Sequence, residues 1–478
     1  MLKTVVILYL FSTWVFAQKV IVIGGGLAGL RAALGIKDQL GVSVVILEAR
    51  NRVGGRAHSL WDENTKEVME AGGELIGNNH TEWKSLAKRY NLELIDLPGE
   101  DSDSYEPILL NNEVISGPES KKLFDDMKEA IKLIVKEAEI IKNPLKPWKE
   151  EQAVQDLDKI SFGDKLKSMP IDPRVKDLIA MQFSHENVSS IYDQSWLGIM
   201  MQIKGGGGDD YLDNFENFTC QEGSQALACK IAQDLLDHDV DLKLNAEVKK
   251  ITTKDGVVTV EGIQSGTAFS IKGDYVVLAT PQTTWPELEI EPKLMLADYT
   301  MSSGPALKVC CQIEKDSEIC FETQSLAGAS WSAPKSLENN IYGFDQLNWD
   351  KEKNQLQRKY YDNFIFFAGG PKCLEENLVE QQRQSFGLMN GKDFAVYNTC
   401  VINWVEKKHS KTGYSYMGVN KLSVLKNLNK YIEPNKMVIV GESVHPVWYG
   451  FMEGALESGL AGAKKICKKI EKLVPKPK

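Results

Sequence analysis

Three glycines near the start of the chain have the spacing of a phosphate-binding loop. Gly24, Gly26 and Gly29 form a G-x-G-x-x-G run, with Ala28 inside it, directly after the apolar stretch Lys19–Ile23. Glycines at these positions allow a tight turn and a close approach of the backbone to a pyrophosphate. That group then faces the unpaired N–H groups at the start of the following helix. The run therefore predicts a dinucleotide site.

An acidic residue at the end of the next apolar stretch supports this interpretation. Glu48 follows Val42–Leu47 at the distance expected for a carboxylate that accepts hydrogen bonds from the ribose hydroxyls of adenosine. Its negative charge would repel a 2′-phosphate, which disfavours NADP. A glycine turn beside an unrelated surface glutamate is the structural alternative, and the two features in sequence argue against it.

A second glycine motif, R-V-G-G-R, runs from Arg52 to Arg56 shortly after Arg50. Its paired glycines let the chain pass against a cofactor, and Arg56 can neutralise pyrophosphate charge. The motif resembles the segment that follows the dinucleotide fold in the flavin-containing amine oxidase superfamily, which includes monoamine, polyamine and L-amino-acid oxidases. The resemblance implies FAD as the cofactor, with Arg50, Gly55 and Arg56 beside it.

The resemblance extends over nearly the whole chain after residue 17. Ala71–Leu75 is similar to the family's strand end beside the flavin ring, and Val248 lies where a valine backbone meets the adenine. Gly441–Ser443, followed by Tyr449–Gly459, is similar to the family's C-terminal fingerprint. The resemblance thereby adds these cofactor contacts: Gly72, Gly73, Glu74, Leu75, Val248, Glu442 and Met452.

The C-terminal fingerprint also has a physical interpretation. A helix that begins near Met452 points its positive end at the flavin pyrimidine, where negative charge gathers on reduction. Small residues then let this helix lie close to the ring, and a plain helix-packing face is an equally good explanation of them. The small residues are Gly454, Ala455, Ser458 and Gly459.

Three residues resemble the family's catalytic positions. Lys308 matches the lysine that holds a water against flavin N5, and its apolar neighbours favour an inward side chain. Tyr414 and Phe451 match the two aromatic walls that orient the neutral amine and exclude water. The alternatives are a surface lysine and ordinary core aromatics, and the alignment at Tyr414 can slip to Tyr416.

The covalent monoamine oxidases carry a flavin-linked cysteine at the position of Gly413. No cysteine lies within ten residues of Gly413, which predicts non-covalent FAD. The eight cysteines are dispersed, with no C-x-x-C pair, so no metal site is expected. Their pairing cannot be deduced from the sequence.

The substrate is less well defined than the cofactor. L-amino-acid oxidases need a cation for the substrate carboxylate, and the Ala71–Leu75 segment holds Glu74 instead of an arginine. Glu74 would attract a second amino group, or it is a structural carboxylate at the flavin. Arg358 is a speculative carboxylate partner, so an oxidase of basic L-amino acids stays open.

Bulk properties restrict the partners. The 478 residues are 43% apolar and 26% charged, with a net charge of −10, which argues against nucleic acid as a partner. Lys3, the apolar run 4–16 and the V-F-A end at Ala17 predict a secretory signal and a mature protein that begins near Gln18. Such a protein is secreted or lies in the periplasm or the lumen of the secretory pathway. The run is too short to span a bilayer, which takes about 20 residues. A homodimer is left open.

These residues must be positioned by an α/β fold with two interleaved domains. The strand–loop–helix–strand order of residues 19–47 predicts a Rossmann-like domain, built from residues 18–90, 215–295 and 425–472. The remaining 91–214 and 296–424 form a substrate domain with a mixed sheet and helices, including an amphipathic helix at 120–141. Strands are expected at 257–260, 275–278, 307–314 and 438–440, and a long helix at 450–470.

The sequence thus predicts oxidation of a carbon–nitrogen bond with reduction of O2 to H2O2. Two rivals are a flavin dehydrogenase or desaturase with another acceptor, and a secreted binding or defence protein with little turnover. Lys308 with an aromatic pair argues against the first rival.

Overall fold

A computed structural model gives the structure of the chain. It describes residues 18–61, 68–97, 107–111, 113–214, 216–314, 330–333, 341–345, 348–350, 355–357, 361–370, 380, 384 and 396–473. The predicted signal peptide and Arg358 lie outside these residues, so both stay predictions. None of the helices in the described ranges is long and apolar enough to cross a membrane.

The described secondary structure alternates between strands and helices. The strands are β1 Lys19–Ile23, β2 Ser43–Leu47, β3 Ser59–Trp61, β4 Val68–Glu70, β5 Leu94–Asp96, β6 Ile108–Leu110, β7 Glu113–Ile115, β8 Phe218–Cys220, β9 Asp241–Lys243, β10 Ala246–Lys254, β11 Val257–Gln264, β12 Thr267–Gly273, β13 Tyr275–Leu278, β14 Glu289–Glu291, β15 Ser302–Gly304, β16 Ala306–Glu314, β17 Ser330–Ala333, β18 Ile341–Asp345, β19 Asn348–Asp350, β20 Gln355–Gln357, β21 Tyr361–Gly369, β22 Val396–Asn403, β23 Tyr414–Tyr416, β24 Tyr431–Ile432 and β25 Met437–Ile439. The α-helices are α1 Leu27–Leu40, α2 Thr81–Arg89, α3 Pro118–Ala138, α4 Gln152–Gln155, α5 Phe162–Ser168, α6 Pro173–Glu186, α7 Trp196–Gly205, α8 Ser224–Asp237, α9 Leu422–Leu428 and α10 Met452–Lys472. Short 3-10 turns lie at Pro147–Lys149, Asp156–Lys159, Gly208–Asp210, Leu212–Asn214, Gln282–Glu287, Leu296–Tyr299 and Glu442–Val444.

The chain divides into two compact units. Unit 1 contains the residues up to Ala57, Gln225–Thr300 and those from Ser423 onward, and unit 2 contains His58–Ser224 and Met301–Leu422. The alternation of three segments with two follows the predicted pattern, but residues 58–90 and 215–224 fall in unit 2. The bridge between Ile76 and Phe218 joins these two stretches to each other, which explains why they stay together.

Unit 1 is built on a six-stranded sheet in the order β24-β25-β13-β1-β2-β9, and its central pairs are parallel. Strands β1 and β2 are continuous apolar runs with four of five residues buried, as expected for strands covered on both faces. Helix α1 connects them and is buried over its first ten residues. The predicted Rossmann-like unit and the α/β fold are confirmed.

A second sheet of unit 1 departs from the sequence-based expectation. The segment between residues 260 and 275, predicted to be a polar hairpin, contains strand β12, which pairs antiparallel with β11. Four of the seven β12 residues are polar or glycine, and most are open to solvent. An edge strand with so weak an apolar alternation is hard to separate from a loop by periodicity.

Unit 2 contains a seven-stranded sheet in the order β22-β16-β21-β18-β17-β6-β7. Strand β16, which carries Lys308, lies between β21 and β22. The predicted amphipathic helix is α3, and it contacts α6 and α7 through its apolar face. The four apolar residues at helical spacing are all buried in it: Leu123, Met127, Ile131 and Ile134.

Candidate active site

The glycine loop of unit 1 is as tight as its sequence predicts. Gly24 has φ 108°, which favours glycine. A Cβ atom on Gly29 would lie 2.0 Å from the carbonyl oxygen of Gly24, so no larger residue fits there. The loop therefore fixes the start of α1 directly after β1.

Space is left at the start of α1. Gly26 is its N-cap, no side chain caps the helix, and its first turn holds no acidic residue. A Cβ atom on Gly26 would meet its nearest neighbours, Gly54 and Gly55, at 4.0 Å. Uncapped N–H groups beside open space suit an anion, so this loop fits the pyrophosphate of a dinucleotide.

Glu48 is held by the backbone around it. Its Oε2 accepts a hydrogen bond from Gly25 N at 2.7 Å, and its Oε1 accepts one from Arg50 N at 2.8 Å. A carboxylate has about four acceptor positions, so these two hydrogen bonds do not use all of them. The predicted role at the adenosine is compatible with this geometry.

The arginines of the second glycine motif are partly buried. Arg56 Nη1 lies 2.8 Å from Glu442 Oε1, and Glu442 Oε2 accepts a hydrogen bond from Gly450 N at 2.9 Å. Burial lowers the pKa of Arg50, and it lowers the pKa of Arg52 to about 10. Arg56 thus shares its charge with Glu442, a residue 386 positions away that sequence spacing does not connect to it.

The final helix begins as predicted, at Met452, and no side chain caps it. The ring of Phe451 packs edge to face on Trp448 at 5.5 Å. A Cβ atom on Gly459 would lie 2.4 Å from the carbonyl oxygen of Ala28, so at this position the small-residue face packs against α1. Helix packing, the alternative explanation, accounts for Gly459.

Val248 lies in β10, at a register shift between this strand and β11. The two strands approach closely here, because a Cβ atom on Gly262 opposite would lie 2.2 Å from the carbonyl oxygen of Glu247. Its proposed contact with adenine stays a prediction.

In unit 2, Lys308 is buried and paired. Its Nζ lies 2.7 Å from Glu74 Oε2 and donates to the carbonyl oxygen of Glu70 at 3.2 Å. The exposed fractions of Lys308 and Glu74 are 6% and 7%. Nearby apolar side chains of Cys310 and Trp404 form a small core with Ala71. The alternative that Lys308 is a surface lysine is wrong, and the carboxylate of Glu74 forms an ion pair with it.

Glu70 holds the glycine segment in place, and sequence reasoning missed it. Its carboxyl oxygens accept hydrogen bonds from Ser224 N at 2.5 Å and Ser59 Oγ at 2.9 Å. Ser224 Oγ donates to the carbonyl oxygen of Glu74 at 3.2 Å. Burial, followed by the charge of Glu74, raises the pKa of Glu70 to about 8. The segment with Gly72, Gly73 and Leu75 is thereby anchored at both ends.

Glu70 should make the protein less stable as the pH rises. Its pKa is about 8 in the fold and near 4.5 when unfolded, so the folded state binds the extra proton between these values. Glu70→Gln should remove up to about 1.4 kcal/mol per pH unit of that dependence. Glu70→Ala should cost about 1–3 kcal/mol for each donor left unsatisfied. Urea unfolding at pH 5.5 and pH 8 measures both, and a Gln variant with an unchanged slope contradicts this assignment.

Tyr414 belongs to an aromatic group in unit 2. Its ring stacks on Phe367 with centroids 6.3 Å apart, and its hydroxyl donates to the carbonyl oxygen of His185 at 3.3 Å. The His185 ring meets Phe367 edge to face at 4.8 Å, and burial lowers the pKa of His185 to about 3. Tyr416 lies two residues along the same strand, so the choice between the tyrosines stays open.

Phe451 belongs to unit 1 and Tyr414 to unit 2, and their pairing as two walls stays a prediction. The described cysteines Cys220, Cys229, Cys310, Cys400 and Cys467 are free thiols. No group of three or more potential metal ligands occurs within the described ranges.

Comparison with known proteins gives matches over most of the chain. A family model described as flavin containing amine oxidoreductase matches residues 27–467. Pseudooxynicotine dehydrogenase from Pseudomonas sp is 23% identical, over 92% of this chain and 84% of that protein. Flavin-containing amine oxidase B from Homo sapiens is 22% identical, over 95% of this chain and 87% of that protein.

Solved structures agree in fold. Putrescine oxidase bound to putrescine gives a TM-score of 0.78 at 19% identity, covering 94% of this chain and 99% of that one. Cyclohexylamine oxidase from Brevibacterium oxydans gives 0.78 at 20% identity, covering 95% and 99%. At such identities the likeness establishes the fold.

Proposed function

The chain belongs to the family of flavin-containing amine oxidoreductases, and on that premise we propose that it oxidises an amine lacking an α-carboxylate, with O2 as the electron acceptor. The observation that carries this proposal is the buried Lys308, held at 2.7 Å by Glu74 and at 3.2 Å by the carbonyl of Glu70. A buried lysine whose position is fixed by two acceptors can hold a single water molecule or move a proton.

The absence of a buried arginine among the described residues of unit 2 supports an amine over an amino acid. Arg89 and Arg174 lie at or near its surface, and Arg174 pairs with Glu119 at 2.9 Å. A substrate carboxylate would need a fixed cation within reach of the reacting carbon. Lys308, the buried cation of this region, is already neutralised by Glu74.

The proposed reaction is a two-electron oxidation of the carbon–nitrogen bond. The amine loses a hydride equivalent from the α-carbon and a proton from nitrogen, which gives an imine that water hydrolyses to a carbonyl compound and ammonia. FAD is the cofactor, and when bound it supplies the two-electron acceptor and the place where O2 is reduced to H2O2. The ring of Tyr414 would orient the substrate and exclude water.

Packing around Gly413 supports non-covalent FAD. A Cβ atom on Gly413 would lie 2.4 Å from Ala306 Cβ and 2.7 Å from Ala306 N, so a cysteine does not fit this backbone. We expect acid precipitation of the yellow protein to leave all FAD in the supernatant, measured by its absorbance. Flavin that stays with the pellet after washing would contradict this expectation.

A combined oxygen-electrode and peroxide assay tests the function. The holoprotein should consume O2 and release one H2O2 per amine oxidised with monoamines and diamines, and turn over slowly with L-lysine and L-leucine. Turnover with an artificial acceptor but without O2 uptake would favour the rival dehydrogenase, a class to which one relative's name belongs. Flavin that is not bleached by any amine without oxygen would favour the low-turnover binding protein.

A further inference from the structure

Glu216 lies beside the Glu74 segment in unit 2. It follows the 3-10 turn Leu212–Asn214 and precedes Asn217, whose N–H donates to the carbonyl oxygen of Ile76 at 3.0 Å. Phe218 continues this contact as a bridge to Ile76. Because Ile76 is two residues beyond Glu74, the backbone brings Glu216 next to the segment that holds Lys308.

The side chain of Glu216 is open although it lies deep in the protein. The side chain is exposed, yet desolvation by the surrounding protein raises its pKa to about 8. A carboxylate at the outer surface would not be desolvated in this way. An exposed side chain that is nevertheless desolvated fits a carboxylate in a deep recess of unit 2, near Glu186, Glu74 and Lys308.

The acidic residues near Glu216 already have hydrogen-bond or ion-pair partners. Glu186 accepts hydrogen bonds from Tyr211, Gln202 and Gln182, and burial raises its pKa to about 7. Glu74 is paired with Lys308. Among the described residues, Glu216 makes no hydrogen bond or ion pair, although the charges of Glu186, Glu74 and Lys308 act on it.

We propose that Glu216 is a specificity-determining residue that binds a second ammonium group of the substrate, so that diamines or polyamines are preferred over monoamines. This inference rests on the proposed function and names its substrate class. The open carboxylate, without a partner in a deep recess, is matched by a cation that also carries a hydrocarbon chain. A basic L-amino acid would bring the same cation together with a carboxylate for which the described part of unit 2 offers no buried arginine.

Binding a dication to Glu216 must release a proton at neutral pH. The free carboxyl is protonated below its pKa of about 8, and ion pairing with the second ammonium expels that proton to solvent. A monoamine of equal length makes no such exchange. The second ammonium should therefore bind better as the pH rises toward 8.

The test compares putrescine with pentylamine, in which a methyl group replaces the second ammonium. Glu216→Gln should lower the ratio of kcat/KM for putrescine over pentylamine by about 10- to 100-fold, as expected for loss of a hydrogen bond between charged groups. Asp213→Asn is the matched control, because Asp213 pairs with Lys128 at the surface at 3.2 Å and should leave the ratio unchanged. L-lysine is the third substrate tested. A higher kcat/KM for L-lysine than for putrescine would overturn the preference for diamines.

Calorimetry on the holoprotein gives a readout without turnover. Diguanidinobutane and butylguanidine differ by one cation, and neither has a free amine to oxidise. At pH 7 the wild type should bind the first about 10-fold more tightly and release close to one proton, seen as buffer-dependent heat, and Glu216→Gln should lose both effects. A wild type that binds the dication no more tightly than the monocation, or a variant that keeps the preference for the dication, overturns the role of Glu216. If neither amine is oxidised, the proposed function fails, and calorimetry still decides on Glu216.

Discussion

Replacing Lys308 by methionine is expected to lower the free energy of unfolding by about 3–5 kcal/mol, because it leaves the carboxylate of Glu74 buried without a partner. Both side chains are at most 7% exposed, so water cannot replace the lost ammonium. Reoxidation of the flavin by O2 should slow roughly 100-fold, as expected when a positioned proton donor is removed. Urea unfolding and stopped-flow absorbance measure the two effects.

A double variant separates structure from chemistry at this pair. Lys308→Met with Glu74→Gln removes both charges, so most of the lost stability should return while reoxidation by O2 stays slow. The control is Lys142→Met, which breaks an exposed pair with Glu151 and should cost at most about 1 kcal/mol. Unchanged reoxidation in Lys308→Met would show that the catalytic assignment of Lys308 is wrong.

The variant Gly26→Ala is expected to fold normally and to bind FAD about 10- to 100-fold more weakly, which corresponds to 1–3 kcal/mol of steric conflict. Gly26 has φ −77°, which alanine also adopts, and a Cβ atom would meet no protein atom closer than 4.0 Å. The added methyl group therefore fills space that a pyrophosphate would use. Thermal unfolding of the flavin-free protein and absorbance titration with FAD measure the two properties separately.

Gly29→Ala should impair folding itself, in contrast to Gly26→Ala. Its Cβ would lie 2.0 Å from the carbonyl oxygen of Gly24, so this variant should fail to fold whether or not FAD is supplied. If Gly26→Ala bound FAD as tightly as the wild type, the start of α1 would not be the phosphate site. If Gly26→Ala lowered the stability of the flavin-free protein, the space beside Gly26 would not be open.

The cofactor loop could be predicted from sequence because its requirements are local. Gly24, Gly29 and Glu48 lie within 25 residues of one another, and each is needed for a turn or a contact that few residue types provide. The burial of Lys308 was also predictable, since its neighbours along the strand are apolar. Such patterns depend on the backbone geometry of one element, so they can be recognised from the residues of that element alone.

The partners of these residues could not be predicted in the same way. Lys308 and Glu74 are 234 positions apart, and Arg56 and Glu442 are 386 apart. No periodicity connects such pairs, because they meet through the arrangement of strands. Glu216 was missed for a related reason: an acid in a polar stretch resembles a surface residue until the depth around it is known. We therefore propose that Glu216, and not Glu74, binds a second amino group of the substrate.

The contact between Gly413 and Ala306 also limits how this protein can change over evolution. Removing the methyl group by Ala306→Gly would still leave the backbone nitrogen of residue 306 at 2.7 Å from a new Cβ on residue 413. Gly413 N also donates to the carbonyl oxygen of Gly304, which holds the two segments together. A cysteine at position 413 would require this spacing to widen first, so a covalent bond to a cofactor at this position needs more than the single substitution Gly413→Cys.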